Sequence, residues 1–209
     1  THAVLQFRYA QKRKHLGFKR WGVFPHRVVE RRHPLVADVN TRFDVPHSRF
    51  NEVTRAQFEQ AGLRILVESE TAGVHLATSA DGFRIVFFQG HPEYDTVILL
   101  KEYKREVARY SKGERPDYPP LLDNYFSLKA QAILDEHRER VVAAHAQGKI
   151  VPEFPEPLIS ASLDNTWHDT AEAVIDNWVG KVYQITNHDR RLPFQQNIDP
   201  NNPLGLDHP

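Results

Sequence analysis

An α/β layered fold is what this sequence predicts, and three observations predict it. Segments of extended character alternate with segments of helical periodicity. One extended segment ends in the unbroken apolar run Ile85-Val86-Phe87-Phe88, the pattern of a central strand covered on both faces. The 209 residues are 40% hydrophobic and 11% aromatic, sufficient for a buried core and too apolar for a disordered chain.

The elements follow in order. Ala3 to Lys14 is predicted to continue a helix. Trp21 to Val29 reads as extended, with β-branched residues and a Pro25 that suggests an edge or irregular strand. Thr54-Arg55-Ala56-Gln57 has the form of a capping box, and Gly62 closes the short helix it opens. Leu63 to Val67, Val74 to Thr78 and Phe83 to Phe88 are three predicted strands separated by turn residues. Asp95 is the expected N-cap of the next helix, where Leu99, Tyr103 and Val107 recur at four-residue spacing. Two Pro-rich loops, Ser111 to Pro120 and Gly148 to Pro157, flank a long surface helix over Asn124 to Ala146. His137 and His145 fall on that helix and are expected at its surface. A last helix covers roughly Thr166 to Tyr183. The tail after Asn187 is polar and Pro-rich, and is expected to be draped or poorly ordered.

Composition excludes several functions. The chain has no Cys, so a disulfide framework, a thiolate zinc site and a cysteine nucleophile are ruled out within these residues. Lys+Arg and Asp+Glu are 27 each, so no overall charge draws the chain to nucleic acid or to a membrane. The apolar runs are far too short to span a bilayer and no signal peptide is visible, which makes a cytoplasmic globular protein the expectation. The chain also lacks Met and opens on Thr1-His2-Ala3-Val4 as though inside a helix. That predicts a fragment or a processed product. Between Thr1 and His33 nine Lys and Arg face the single acid Glu30. The bias reads either as a solvated face or as an attraction for an anionic ligand such as a phosphate-rich cofactor.

The stretch Phe88-Gln89-Gly90-His91-Pro92-Glu93-Tyr94-Asp95 carries the chemistry. A buried strand delivers His91 at its carboxyl end, where open α/β sheets place their ligand sites. Side chains at i and i+2 of an extended segment leave on one side, so Glu93 can orient the imidazole. This is the base-plus-orienter half of a nucleophilic triad without its nucleophile. The alternative is a capped loop histidine beside a surface carboxylate. No second His stands at ligand spacing, so no metal site is expected.

Gly90-His91-Pro92-Glu93-Tyr94-Asp95, followed by Glu102-Tyr103-Lys104-Arg105, resembles the homoserine O-succinyltransferase (homoserine transsuccinylase) family. So do Gly22-Val23-Phe24-Pro25-His26-Arg27-Val28, His33-Pro34-Leu35 and Pro46-His47-Ser48-Arg49-Phe50. Asn124-Tyr125-Phe126, Asn177-Trp178 and Val182-Tyr183-Gln184-Ile185-Thr186 fit the same family, and all the motifs fall in its order from Thr1 to about Asp189.

The resemblance implies a flavodoxin-like, class I glutamine amidotransferase-like three-layer sandwich, here a fragment lacking its N-terminal strands. It implies a Cys-His-Glu triad with ping-pong acyl transfer, the cysteine on an elbow just ahead of Thr1. His91 is then the general base and Glu93 its partner. Lys19, Ser48 and Arg105 fall where the family binds substrate. Arg105 is the candidate fork for an amino-acid carboxylate, Lys19 for a carboxylate or the acyl group, and Ser48 for positioning the acceptor. Residues 1–189 are the C-terminal part of one acyltransferase domain with an inserted helical segment near 124–147, and 190–209 are the tail. The implied partners are L-homoserine and succinyl-CoA or acetyl-CoA, the acyl-CoA a co-substrate rather than a cofactor, and a homodimer is the expected assembly.

Two departures stand out. Trp167-His168-Asp169-Thr170 replaces the family's Trp-Arg-x-His, and the stretch from Phe126 to Trp167 is longer than the family's short link. A serine acyltransferase of the same family, a glutaminase of the same fold and a non-catalytic fragment are the other readings.

Overall fold

The computed structural model describes residues 1–189 and 191–206. Positions 190 and 207–209 of the expected tail lie outside the described residues. The chain divides into two compact units, one made of Thr1–Arg20, Phe24–Glu93 and Thr166–Pro209, the other of Trp21–Val23 and Tyr94–Asn165.

The first unit is built on five strands, β1 (Lys14–Val28), β2 (Arg42–Glu52), β3 (Arg64–Ser69), β4 (Gly73–Thr78) and β5 (Val86–Phe88). Their order across the sheet is β2-β1-β3-β4-β5. Helices α1 (His2–Tyr9) and α2 (Arg55–Gln60) cover one face, where Leu5 and Phe58 pack on Val53, Val74, Ala77 and Phe87. Helix α6 (His168–Ile185) and a 3₁₀ turn at Pro34–Val36 cover the other, with Val174, Leu35 and Val36 against Val28, Leu66, Val67 and Leu76. The expected mixed α/β class and its three layers are therefore present. Strand pairing differs from a doubly wound sheet: β1 with β3, β3 with β4 and β4 with β5 are all antiparallel. The turns joining β3 to β4 and β4 to β5 are too short for the crossover that a parallel pair requires.

Several boundaries move, each for a local reason. Helix α1 stops at Tyr9 because Ala10 takes a left-handed conformation, φ 56°, which an alanine does not announce in the sequence. Strand β5 is shorter than expected because the Asp81 carboxylate takes the amides of Phe83 and Arg84 at 2.8 and 3.0 Å, drawing both out of the ladder. β5 is covered on both faces, with Phe87 in one cluster and Val86 and Phe88 against the other. It nevertheless stands at the end of the described strand order rather than at its centre. The capping box at Thr54 and Gln57 is formed. The tail lies along this unit, with Phe194 against Phe83 and the Arg84 guanidinium.

The second unit contains α3 (Ile98–Ser111), α4 (Leu128–Ala146) and α5 (Glu156–Ser160). Asp95 does not cap α3. Its carboxylate takes the amide of Thr96, its carbonyl that of Ile98, and the helix begins after that turn. Helix α4 starts at Leu128, with Ser127 as its cap, because Asn124 at φ 52° interrupts the run ahead of it. One face of α4 is buried by Ala130, Leu134, His137 and Val141. The expectation of a surface His137 fails: the ring is buried edge-on against Phe154. His145 is exposed, as expected. Gly22 is required here by close approach, since a Cβ would lie 2.2 Å from the Asp123 carbonyl oxygen. Among the described residues no helix is long and apolar enough to cross a membrane.

Besides the buried His33, the core of the first unit holds a cluster of three imidazoles, those of His26, His47 and His75. His26 and His47 are stacked with ring centres 5.1 Å apart, and His75 stands edge-on to His26 at 5.3 Å. Arg49 Nε donates to His47 Nδ1 at 3.2 Å. An arginine only donates, so His47 carries its proton on Nε2 and gives it to His26 Nε2 at 3.3 Å. His26 in turn donates from Nδ1 to the Phe24 carbonyl at 2.8 Å.

Burial, opposed by the bond to Phe24, lowers the His26 pKa to about 4. Burial first, and then the neighbouring rings and Arg49, push His47 and His75 well below the ordinary range. The native rings stay neutral while unfolded ones take protons below about pH 6.5, so the unfolded state binds more protons and stability falls as pH falls. The loss is expected to begin below about pH 6.5 and, for His26, to continue to about pH 4, at up to about 1.4 kcal/mol per pH unit for each ring that titrates. Melting temperatures measured at intervals from pH 7.5 to 5 check this; a flat profile would mean that the rings protonate without unfolding.

Candidate active site

His91 follows β5 across two bent residues, Gln89 and Gly90, and three consecutive positions are fastened. The Gln89 side chain is saturated: its oxygen takes the Val53 amide at 2.8 Å and meets His2 Nε2 at 2.9 Å. Its nitrogen donates to the carbonyls of Val53 and Val74. Gly90 N–H donates to His75 Nδ1 at 3.3 Å. His91 N–H donates to the Pro46 carbonyl at 2.8 Å. A Cβ on residue 90 would sit 2.5 Å from Val45 Cγ1 and 2.9 Å from both His47 Nε2 and His75 Nδ1, so only glycine fits.

The expected His91–Glu93 pair is formed, with Nδ1 and Oε1 2.9 Å apart. A turn at Pro92–Glu93 brings the carboxylate round, not the extended segment that spacing suggested. The Nδ1 proton faces the carboxylate, which leaves Nε2 of the neutral ring as the basic nitrogen. The imidazole is 32% and the carboxylate 67% exposed, so the ring can be reached from solvent and its partner more so.

Lys19 on β1 and Ser48 on β2 are half-buried residues of neighbouring strands in this same unit. Ser48 alternates with the buried His47 and Arg49, as a strand requires. Arg105 belongs to the second unit, exposed on α3, with Nε 3.6 Å from the Glu106 carboxylate. Sequence reasoning missed Gln89 and His75, and quoted His26 and His47 without a use for them. A histidine in the middle of the apolar strand Val74–Thr78 was the available signal. Where the sequence departs from the family, Trp167 is buried and closes a narrow crevice with Val45, His75, Phe88 and Pro92, while His168 is exposed. No group of acidic or histidine side chains among the described residues could hold a metal ion.

A family model described as homoserine O-succinyltransferase matches residues 1–188. Proteins named homoserine O-succinyltransferase are similar along nearly the whole chain. One from Allochromatium vinosum is 69% identical over 206 residues, 99% of this chain and 58% of its own length. Another, from Thioalkalivibrio nitratireducens, is 65% identical over 98% of this chain and 57% of its own length. A third, from Nitrosococcus oceani, is 63% identical over 100% of this chain and 58% of its own. The chain thus spans a little over half the length of these relatives, and the match of the family model over residues 1–188 shows that it belongs to the homoserine O-succinyltransferase family.

Proposed function

We propose that this chain supplies the base and acceptor side of a cytoplasmic homoserine O-succinyltransferase of methionine biosynthesis. The enzyme moves a succinyl group from succinyl-CoA to the hydroxyl of L-homoserine, the acyl group and acceptor being those in the relatives' names. The observation that carries this reading is the 2.9 Å pairing of His91 with Glu93 beside a backbone held at every position.

In this reading the acyl-accepting thiol comes from sequence ahead of Thr1, since these residues include no Cys. Two contacts support the placement. Thr1 Oγ1 donates to the Phe88 carbonyl at 2.5 Å, and His2 meets Gln89. The start of α1 is thereby fastened at the carboxyl end of the strand that delivers His91. Acylation begins when His91 Nε2 takes the thiol proton and sulfur attacks the succinyl thioester. CoA leaves as its thiolate and receives that proton. In the second half, His91 takes the homoserine hydroxyl proton, the oxygen attacks the acyl-cysteine, and the cysteine thiolate departs and is reprotonated. Glu93 stabilises the imidazolium formed in each half. Lys19 and Ser48 position the reactants, and Arg105 receives the homoserine carboxylate.

Three outcomes follow. The 209-residue chain alone should release no CoA from succinyl-CoA; steady turnover by it would sink the assignment of the nucleophile. In the full-length enzyme, His91→Ala should slow both half-reactions by about 10²–10⁴-fold or more, and Glu93→Gln by less. Single-turnover CoA release at the wild-type rate in His91→Ala would refute the base assignment. Arg105→Ala should weaken homoserine use by about 10- to 100-fold, the worth of a charge-assisted pair, while CoA release stays near normal. Arg105→Lys should rescue poorly, because an ammonium lacks the planar fork. Equal losses in both halves would instead assign Arg105 to holding α3 through Glu106.

A further inference from the structure

The chemistry above uses none of the three clustered imidazoles, yet one of them touches the backbone that carries His91. The His75 carbonyl takes the Gln89 amide at 2.8 Å, continuing the β4–β5 ladder. The next amide, that of Gly90, turns from the ladder to the His75 ring, donating to Nδ1 at 3.3 Å. One residue therefore holds two successive amides, and the chain bends away from the sheet between them. His91 N–H then goes to Pro46. Val45 and His47 crowd the Gly90 position, but His47 commits its Nε2 proton to His26 and offers that amide no acceptor.

We propose that His75 is a positioning residue for His91: its unprotonated Nδ1 holds the Gly90 amide, and through it the turn that presents the His91–Glu93 pair. The proposal rests on the reading of His91 as the general base. A ring accepting on Nδ1 can do this, whereas a hydrocarbon of similar volume fills the space and leaves the Gly90 amide without its bond. Misplacing a reacting group by about 1 Å costs about 100-fold in rate, so the bond matters to catalysis well beyond its share of stability.

Two substitutions in the full-length enzyme separate positioning from packing. Asn places an amide oxygen on the same Cγ that bears Nδ1, but it is smaller and leaves a cavity. Leu fills the cavity and has no acceptor. If His75 positions the base, His75→Leu lowers the single-turnover rate of CoA release from succinyl-CoA by roughly 10- to 100-fold, with little change in KM. His75→Asn stays within a few-fold of wild type despite a lower melting temperature. Rates that follow the melting temperatures, or a wild-type rate in His75→Leu, would overturn the proposal. Should His75→Leu fail to fold, His75→Gln, whose amide lies one bond further out, takes its place. Amide hydrogen exchange at Gly90 and His91 in the same proteins is the second readout, expected to be faster in His75→Leu than in His75→Asn. If the wild type releases no CoA at all, the proposed function fails, and exchange alone decides: equal protection in wild type and His75→Leu would reject the positioning role.

Discussion

The backbone at Gly90 runs so close to Val45, His47 and His75 that no side chain can occupy the position, and the geometry of the site depends on that contact. With a Cβ present, the chain leaving β5 would have to lift off the sheet, and the His91 amide would lose the Pro46 carbonyl. Without one, three strands meet at a single residue: β5 delivers it, β2 packs on it through Val45 and His47, and β4 bonds to it through His75. A tightly packed interior leaves such a junction little freedom to drift. His91 is thus placed by main-chain geometry as well as by its bond to Glu93, and its ring is left one-third exposed.

Burying three imidazoles behind that junction is costly unless each polar nitrogen is used. Arg49 organises them. Its side chain is 7% exposed, and it donates to the carbonyls of Asn51 and Ala72 as well as to His47. A guanidinium can serve several fixed acceptors at once where an ammonium cannot. Its charge also opposes any proton arriving on the rings, so the direction of donation from His47 to His26 to Phe24 is set at one end by an arginine and at the other by a carbonyl.

What was legible in the sequence was whatever declared itself locally. The Thr54–Gln57 box, the paired strands β3 and β4, and the Gly90-His91-Pro92-Glu93 string each carry their signal within a few residues, and each is found in place. The misreadings have non-local causes or unmarked ones. Ala10 adopts a glycine's conformation, and Asp81 reaches into the next strand to remove its amides. His137 shares the buried face of α4 with Ala130, Leu134 and Val141, and its ring is covered by Phe154, which lies beyond the helix. His75 stood out only as a histidine in an apolar strand, and its use was hidden for a related reason, since its partner is a main-chain amide fifteen positions away. No side-chain pattern encodes such a bond. Arg105 is the opposite case: resemblance alone marked it, and its local contacts on α3 are those of an ordinary surface charge.

The segment Pro46-His47-Ser48-Arg49 shows how one strand serves the core and the site together. Proline has no amide to give, and its carbonyl is the group that receives the His91 amide. Period-two alternation then sends His47 and Arg49 into the interior, where they bond to each other at 3.2 Å, and turns Ser48 to the opposite face of the strand. A one-residue slip of β2 would exchange the two sets. It would bury the hydroxyl, expel the guanidinium from its carbonyl acceptors and take the Pro46 oxygen from His91. The register of β2 is therefore held from the interior by Arg49 and at the site by the His91 amide, and a disturbance at either place is felt at the other.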